Sequence, residues 1–551
     1  MSRVAISAAA EAGPDTPCGC GVARVIQAVA KCSPPETRVS WPTMRGSGEA
    51  RLVASGAVLQ QLAQGLGLVA LLGIVTLLAR RLEVPELGAY GLVASLAGYL
   101  LVLRNSVASS AVRAMASATD PEERGRVFAA AAALYVVVGL VTGVLIAAAA
   151  LAIAALVLDG ELARQARIGG LGLGALTAVG IAASVSLDAL RAERRFAQAA
   201  GAEMAAVVIY VAVMVTLILM DASLGALMAV SGALPLLSGL LSALIARRSG
   251  LPRRLARSGR ERRHTAAIVP TAGWLLVIEL SNLVMYASGR IILGAYRSPT
   301  AVGLYEGPVR AHNLLYALGG ALAVPTVPTA SRYVATGDER RLRELAVRGS
   351  RYTLALFVPL CVTLMALAEP ILGVWLGDRY TGGATALTIL VSYWLLYGAL
   401  VVTPGFLVGA GRAPQVARLM VVFAVSNIAL ALVLTPEVGV KGPALATTIP
   451  FVLGFPLMLR NGLLVTGVSV SELVRRAFAP AYVVGAVLAA VLVGVRLLAE
   501  PSGLAAVGLL AVAGVLASWA GFYLLVFDES ERSLVKSLLH PFGDEPGEGE
   551  R

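Results

Sequence analysis

Ten polar side chains stand inside runs of this sequence that are otherwise apolar, and their spacing sorts them into stripes. Glu279, Asn282, Tyr286 and Arg290 follow one another at intervals of three, four and four residues, which places them on one face of a helix. Glu306, Arg310 and Asn313, at intervals of four and three, make a second such face, and Tyr99, Arg104 and Asn105 form a third group. Arginine carries a planar fork of donors that fits oxyanions such as phosphate bidentately. Arg310, Arg290 and Arg104 are therefore the candidate anion-binding residues, with Asn282, Tyr286, Glu306 and Asn313 as the polar lining of the same cavity. Plainer readings stay open. Arg290 and Arg104 stand near the ends of their runs, where a long side chain can reach the interface, and Glu306 and Arg310, one helical turn apart, can simply neutralise each other. Asp188 and Glu203 flank the Arg191–Arg195 turn and read as local salt-bridge partners.

The surroundings of these residues are lipid-like. Of 551 residues, 58% are hydrophobic and 14% charged, against about 25% charged in an ordinary soluble domain. A single globular core cannot hide so much apolar side chain, so the chain reads as an all-α polytopic membrane protein. Runs of about 20 apolar residues cross the hydrocarbon, and there are fourteen candidates: 57–79, 87–110, 128–157, 168–190, 200–220, 222–246, 268–293, 302–331, 353–375, 385–409, 419–434, 443–459, 477–498 and 504–527. With the N-terminus placed inside, the inner connections carry 25 basic residues and the outer ones 8, which puts both termini in the cytoplasm. Residues 1–49 form a cytoplasmic tail expected to be disordered, 528–551 a second tail, and 338–351 a short amphipathic helix on the inner leaflet.

The chain also repeats itself. Gly88-x-Tyr90 opens the second run and Gly303-x-Tyr305 the eighth, 215 residues apart; Asp120 and Asp338 precede the third and ninth runs, 218 apart; Arg191 and Arg412 follow the fourth and tenth, 221 apart. Three correspondences in order at nearly one offset give two six-helix lobes, 50–246 and 265–460, joined by an Arg-rich cytoplasmic linker at 247–264. Parallel repeats of this kind place a substrate site at the lobe interface. Two extra helices, within 477–527, lie outside the repeat.

The motifs then carry a resemblance. The arginine-ended first run followed by Pro85-x-x-Gly88-x-Tyr90, the Val302-Gly303-Leu304-Tyr305 opening, Ala335-Thr336-Gly337-Asp338, Glu369-Pro370-Ile371-Leu372 leading to Trp375-Leu376-Gly377, and Gly409-Ala410-Gly411-Arg412 resemble the polysaccharide-export branch of the multidrug/oligosaccharidyl-lipid/polysaccharide exporter superfamily, within it the Wzx-type O-antigen flippases. The resemblance covers roughly 50–460. It implies a bacterial cytoplasmic-membrane flippase that moves an undecaprenyl-pyrophosphate-linked oligosaccharide outward by alternating access, for surface polysaccharide and lipopolysaccharide assembly. The pyrophosphate would be drawn to Arg104, Arg290 and Arg310, and a glycan to Tyr, Asn and Ser through hydrogen bonds and aromatic faces. Membrane lipids and other glycan-assembly proteins are the implied partners. Glu279, near mid-run with no opposite charge one turn away, is the candidate site for coupling to a proton or sodium gradient, against the plainer reading of a neutral, hydrogen-bonded acid.

Other chemistries find no purchase in the sequence. Cys18, Cys20, Cys32 and Cys361 form no disulfide framework, and with three histidines no metal site or cofactor is expected. Basic residues without interleaved aromatics give no nucleic-acid face. Gly170-x-Gly172-x-Gly174, Gly139-x-x-x-Gly143 and Gly405-x-x-x-Gly409 read as helix packing. No catalytic constellation is present, so no enzyme is expected. A drug or cation antiporter of the same fold and a lipid II flippase are the alternatives. The former lacks its usual acid in the first run, and the latter lacks first-run charges other than Arg80 and Arg81. A membrane glycan polymerase or ligase is disfavoured by the short outer loops.

Overall fold

The computed structural model describes residues 47–117, 121–248, 273–323, 326–529 and 531–532. Among these residues no strand forms and nearly the whole chain is helical. The first helices are α1 (Ser47–Arg81), α2 (Val84–Ser117), α3 (Pro121–Leu156), α4 (Gly160–Ala183), α5 (Val185–Ala192), α6 (Phe196–Leu219), α7 (Leu224–Val230) and α8 (Ala233–Arg248). The next group is α9 (Gly273–Tyr296), α10 (Pro299–Ala323), α11 (Thr326–Thr336), α12 (Glu339–Ala366), α13 (Ala368–Leu376), α14 (Ala384–Ser392), α15 (Trp394–Tyr397), α16 (Thr403–Gly409), α17 (Ala413–Val438) and α18 (Lys441–Thr466). The chain continues through α19 (Val470–Leu473), α20 (Ala479–Ala499) and α21 (Leu504–Gly521). The Cys18–Cys20 pair, almost all of the 247–264 linker and most of both tails lie outside the described residues.

Twelve of the described helices are long and apolar enough to cross a membrane, or thirteen if α7 and α8, bent by 42° at their junction, count as one span. The expected count of fourteen is not reached because α10, though 25 residues long, carries Glu306, Arg310, His312 and Asn313 and is too polar to qualify. Other boundaries differ from the hydropathy reading. The amphipathic stretch 338–351 is no separate helix; it is the first half of α12 and runs on into the apolar stretch without a break. That helix stops at Ala366 and restarts as α13, where Pro370, within the first turn, has no N–H to give and fits a helix start without losing a hydrogen bond. The run 385–409 is broken into α14, α15, a 3₁₀ turn at Gly398–Leu400, and α16.

Lipid tails are as apolar as leucine, so close packing rather than the hydrophobic effect holds such helices together. Small residues supply it here. A β-carbon on Gly143 would meet the carbonyl oxygen of Gly174 at 2.6 Å, and one on Gly174 would meet that of Gly143 at 2.5 Å, which brings α3 and α4 into backbone contact. Gly170 faces Ala150 of α3 and Gly172 faces Ala229 of α7, so the glycine-rich stretch of α4 is a packing surface on two sides. Gly405 and Gly409 do the same for α16 against α11.

The helices up to Arg248 meet those from Gly273 mainly along α2, which packs on α9 and α10. The two copies of the repeated motif meet each other there. A β-carbon on Gly88 would run into the carbonyl of Pro299, and one on Gly303 into the carbonyl of Val84. Since 84 and 88 correspond to 299 and 303 at the offset of 215, matched positions of the repeated motif meet in both directions. It lies at the end of the bundle where α1 finishes at Arg81, and further contacts close that end. Trp375 Nε1 donates to Thr76 Oγ1 at 2.7 Å, Arg379 donates to the carbonyls of Ala79 and Leu82 at 2.5 and 2.8 Å, and Arg80 donates to that of Val374 at 3.1 Å. The last two long helices, α20 and α21, pack on the flank of α12.

Placing valine at Gly88 forces overpacking at this crossing and is expected to cost on the order of 1–3 kcal/mol, seen as a lower unfolding midpoint of the purified protein. Gly98→Ala on the same helix, where a β-carbon meets nothing within 4 Å, is the control and should leave the midpoint unchanged or raise it. Equal midpoints for both variants would refute the close-crossing account.

Candidate functional site

Two charged networks sit beside the α2 crossing, and each exists because an ionised group inside a membrane must find a partner. The first centres on Glu306 of α10. Its carboxylate occupies the space that a side chain at position 91 of α2 would fill, and position 91 is glycine. Arg290 of α9 reaches it with Nε 2.9 Å from Oε1 and Nη2 3.3 Å from Oε2, and Arg310, one turn along α10, donates from Nε at 3.2 Å. Arg290 also donates to the hydroxyl of Tyr99 of α2 at 2.7 Å, and that hydroxyl donates to the carbonyl of Tyr286 at 3.0 Å. The side chains of Arg290 and Glu306 are 2% and 1% exposed. Arg290 therefore does not extend to the interface; it is buried between helices. Two guanidinium groups against one carboxylate leave the cluster with one positive charge.

The second network joins α2 to α1, α3, α5 and α6. Arg104 pairs with Asp188 and donates to Ser184 Oγ at 3.2 Å; Tyr135 donates to Asp188 at 2.7 Å; Arg191 bridges Asp188 at 3.0 Å and Glu203 at 2.8 Å; and Gln60 of α1 donates to Glu203 at 2.8 Å. Here two arginines face two acids, and the charges cancel.

Two cavities adjoin these networks on the Ser47 side of the closed end. The larger, about 640 Å³, lies between α1, α2, α6 and α8 on one side and α10 on the other. Its wall is largely apolar, with Tyr90, Tyr210, Gln64, Ser95 and Ser231 as polar members, and among the described residues Arg310 is the one charged residue in it. The smaller, about 260 Å³, is lined by Gln60, Gln64, Arg104, Asn105, Ser184, Glu203 and Ser238 among apolar neighbours. Gln64, Gly67, Leu101, Val207, Leu234 and Pro235 belong to both walls, so the two spaces are continuous.

The expected single cationic cavity is thus divided. Arg310 stands in the wall of the larger space and Arg104 in that of the smaller, while Arg290 and Glu306 lie behind the wall. Asn282, Tyr286 and Asn313 line neither of these two cavities. Tyr286 instead packs its ring against His312 and Tyr316 at 5.0 and 5.1 Å between centroids, and Asn313 meets His312 Nδ1 at 3.4 Å. Glu279 is exposed on α9, on the same helical face as Arg290 but three turns away from it. The hydropathy reading missed Gln60 and Gln64. Their signal was present, two amides one turn apart inside an apolar run, but uncharged side chains barely lower the hydropathy of a span. It also missed His312, whose Nε2 lies 2.7 Å from the hydroxyl of Tyr393 in an aromatic nest of Tyr286, Trp394 and Tyr316.

Residues 77–384 match the family model described as "Polysaccharide biosynthesis protein". Among curated proteins the chain is 30% identical over 175 residues to the probable flippase AglR of Haloferax volcanii, covering 31% of this chain and 36% of the relative. It is 22% identical over 160 residues to the probable low-salt glycan biosynthesis flippase Agl15 of the same organism, covering 29% and 34%. The chain thus spans about a third of the length of the curated relatives it matches. Among solved structures, the lipid II flippase MurJ in an inward closed conformation superposes with a TM-score of 0.64 at 14% identity, over 87% of this chain and 100% of that one. An inward-facing multidrug-resistance MATE transporter of the MOP superfamily superposes with a TM-score of 0.62 at 15% identity, over 75% and 99%. At such identities the likeness is one of fold.

The Arg290–Glu306 pair makes a prediction of its own. Glu306→Leu leaves Arg290 buried without an opposite charge and is expected to destabilise the protein by about 3–5 kcal/mol. Adding Arg290→Leu should restore part of that loss, because both charges are then gone. Strictly additive losses in a thermal-unfolding double-mutant cycle would show that the two groups do not depend on each other.

Proposed function

This chain belongs to the polysaccharide biosynthesis protein family, and from that premise we propose that it is a flippase. Its cargo is an oligosaccharide linked through pyrophosphate to a polyprenyl carrier of the undecaprenyl kind, and it moves the cargo across the cytoplasmic membrane by alternating access. The observation that carries this reading is the larger cavity. It is a mostly apolar space between two helical groups, with Arg310 as the single charged residue in its wall among the described residues.

Such a space suits an amphipathic anion. The apolar wall accepts the first isoprene units, and Arg310 offers its donor fork to a phosphate oxygen. The buried Arg290–Glu306 pair behind Arg310 holds that guanidinium in place through the shared carboxylate. In a low-dielectric interior one well-placed cation attracts an anionic headgroup strongly, and Arg310 is part-exposed to the cavity while Arg290 is not.

The closed end supplies the other half of the mechanism. With the termini taken as cytoplasmic, from the arginine bias of the connections, the Arg81 end faces outward and this is the inward-facing state. The closure rests on a few side-chain hydrogen bonds, one to the Thr76 hydroxyl and the others to backbone carbonyls, and on one glycine crossing. Each such bond contributes about 0.5–3 kcal/mol, so the sum is within reach of the differential binding energy a ligand can supply. Opening there, with closing at the opposite end, would deliver the headgroup to the outer leaflet while the tail stays in lipid.

Cells lacking this protein are expected to accumulate the lipid-linked oligosaccharide on the inner leaflet. Wild type should relieve the accumulation, and Arg310→Ala, at matched membrane levels, should not. Full relief by Arg310→Ala would remove the anion site from the mechanism. Absence of accumulation, with changed resistance to cationic drugs instead, would replace the flippase by an antiporter.

A further inference from the structure

The smaller cavity has no task in the reading above, and its chemistry differs from that of its neighbour. Among the described residues, seven of its fourteen lining residues are polar or charged, against six of twenty-two in the larger space. Polar groups inside a membrane helix bundle face one another, water or a ligand. Most of those here already have protein partners: Arg104 with Asp188, Glu203 with Arg191 and Gln60, Ser238 with the carbonyl of Pro235. Gln64 is the exception. Its amide is exposed to both cavities and makes no hydrogen bond among the described residues.

Resting on the flippase reading, we infer that this smaller cavity is the subsite for the first sugar of the cargo, with the Gln64 amide as its principal contact. Three features select a neutral polyhydroxylated group over another ion. The charges around the cavity cancel, so a second phosphate would have to take Arg104 from Asp188, and a cation would have to take Glu203 from Arg191. An amide side chain offers donors and an acceptor together, as does every sugar hydroxyl or N-acetyl group. The volume, about 260 Å³, equals roughly nine waters at about 30 Å³ each, room for one sugar ring with little to spare.

Position agrees with this assignment. Gln64 stands at the junction of the two spaces. A headgroup with its phosphate on Arg310 would therefore extend its sugar past Gln64 toward Asn105 and Ser238, on the Ser47 side. Among the described residues no aromatic ring lines the smaller cavity, so the sugar is read by hydrogen bonds, in contrast to the aromatic faces expected from the sequence.

The test uses the full chain in lipid nanodiscs, with undecaprenyl pyrophosphate and undecaprenyl-pyrophosphoryl-N-acetylglucosamine as probes, titrated separately. Wild type should bind the glycosylated probe about tenfold more tightly, the worth of one or two net hydrogen bonds. Gln64→Leu should bring that ratio close to one, and Asn105→Ala, a second variant on the same wall, should lower it by a smaller factor. Arg310→Gln should weaken both probes together. Unfolding midpoints of the variants distinguish lost contacts from lost fold. A wild-type ratio near one, or a ratio unchanged in Gln64→Leu, overturns the sugar subsite and leaves the headgroup reading intact. Failure of wild type to bind either probe overturns the flippase reading, and the subsite with it.

Discussion

An ionised side chain within the hydrocarbon costs at least about 2.5–3.5 kcal/mol at mid-helix, and the arrangement of this protein follows from how that cost is met at Glu306. Its carboxylate needs partners from two helices, Arg290 of α9 and Arg310 of α10, and it needs room against a third, which Gly91 of α2 provides. The same three helices form the main junction between the two parts of the molecule. Because two arginines share one acid, the cluster keeps a positive charge, and because Arg310 is the outermost member, that charge is presented to the cavity. Placement of the junction and placement of the cation are one event.

The repeat makes the junction symmetric in backbone and asymmetric in chemistry. Val84, Gly88 and Gly91 correspond at one offset to Pro299, Gly303 and Glu306. The first two pairs cross glycine against carbonyl in both directions; at the third, a glycine in one copy accommodates the acid of the other. The matched glycine crossings thus carry the charged group on one side only.

Rigidity is distributed unevenly around this frame. The second network ties α1, α2, α5 and α6 together through compensated ion pairs. On the other side, Glu531 is buried against Arg351 at 2.6 Å and the hydroxyl of Tyr352 at 3.0 Å, which fastens the segment after α21 to α12. With α20 and α21 also packed on α12, the last two long helices are attached to the second group and have no extensive contact with the first. Between the two groups, by contrast, the closure at the Arg81 end combines the glycine crossing with a handful of side-chain hydrogen bonds to the Thr76 hydroxyl and to backbone carbonyls, contacts that can break without unpacking a core.

Sequence alone determined the membrane setting, the helical class, the approximate place of every long helix and the repeat, because hydropathy, helical period and glycine spacing are local properties that lipid does not override. It also placed Arg290 on a polar stripe of one helix and Glu306 and Arg310 on a polar stripe of the next. Only the tertiary structure decided which of them reaches a cavity. Burial depends on what stands opposite, and nothing near Arg290 in the chain announces Tyr99 or the notch at Gly91. Arg104 was legible as a charge in a span, yet its partner Asp188 is 84 residues away, and that pairing makes the smaller cavity neutral. Gln60 and Gln64 passed beneath the hydropathy signal because an amide is polar without being charged. Their importance comes from facing an enclosed space, and an enclosed space is made by several helices at once.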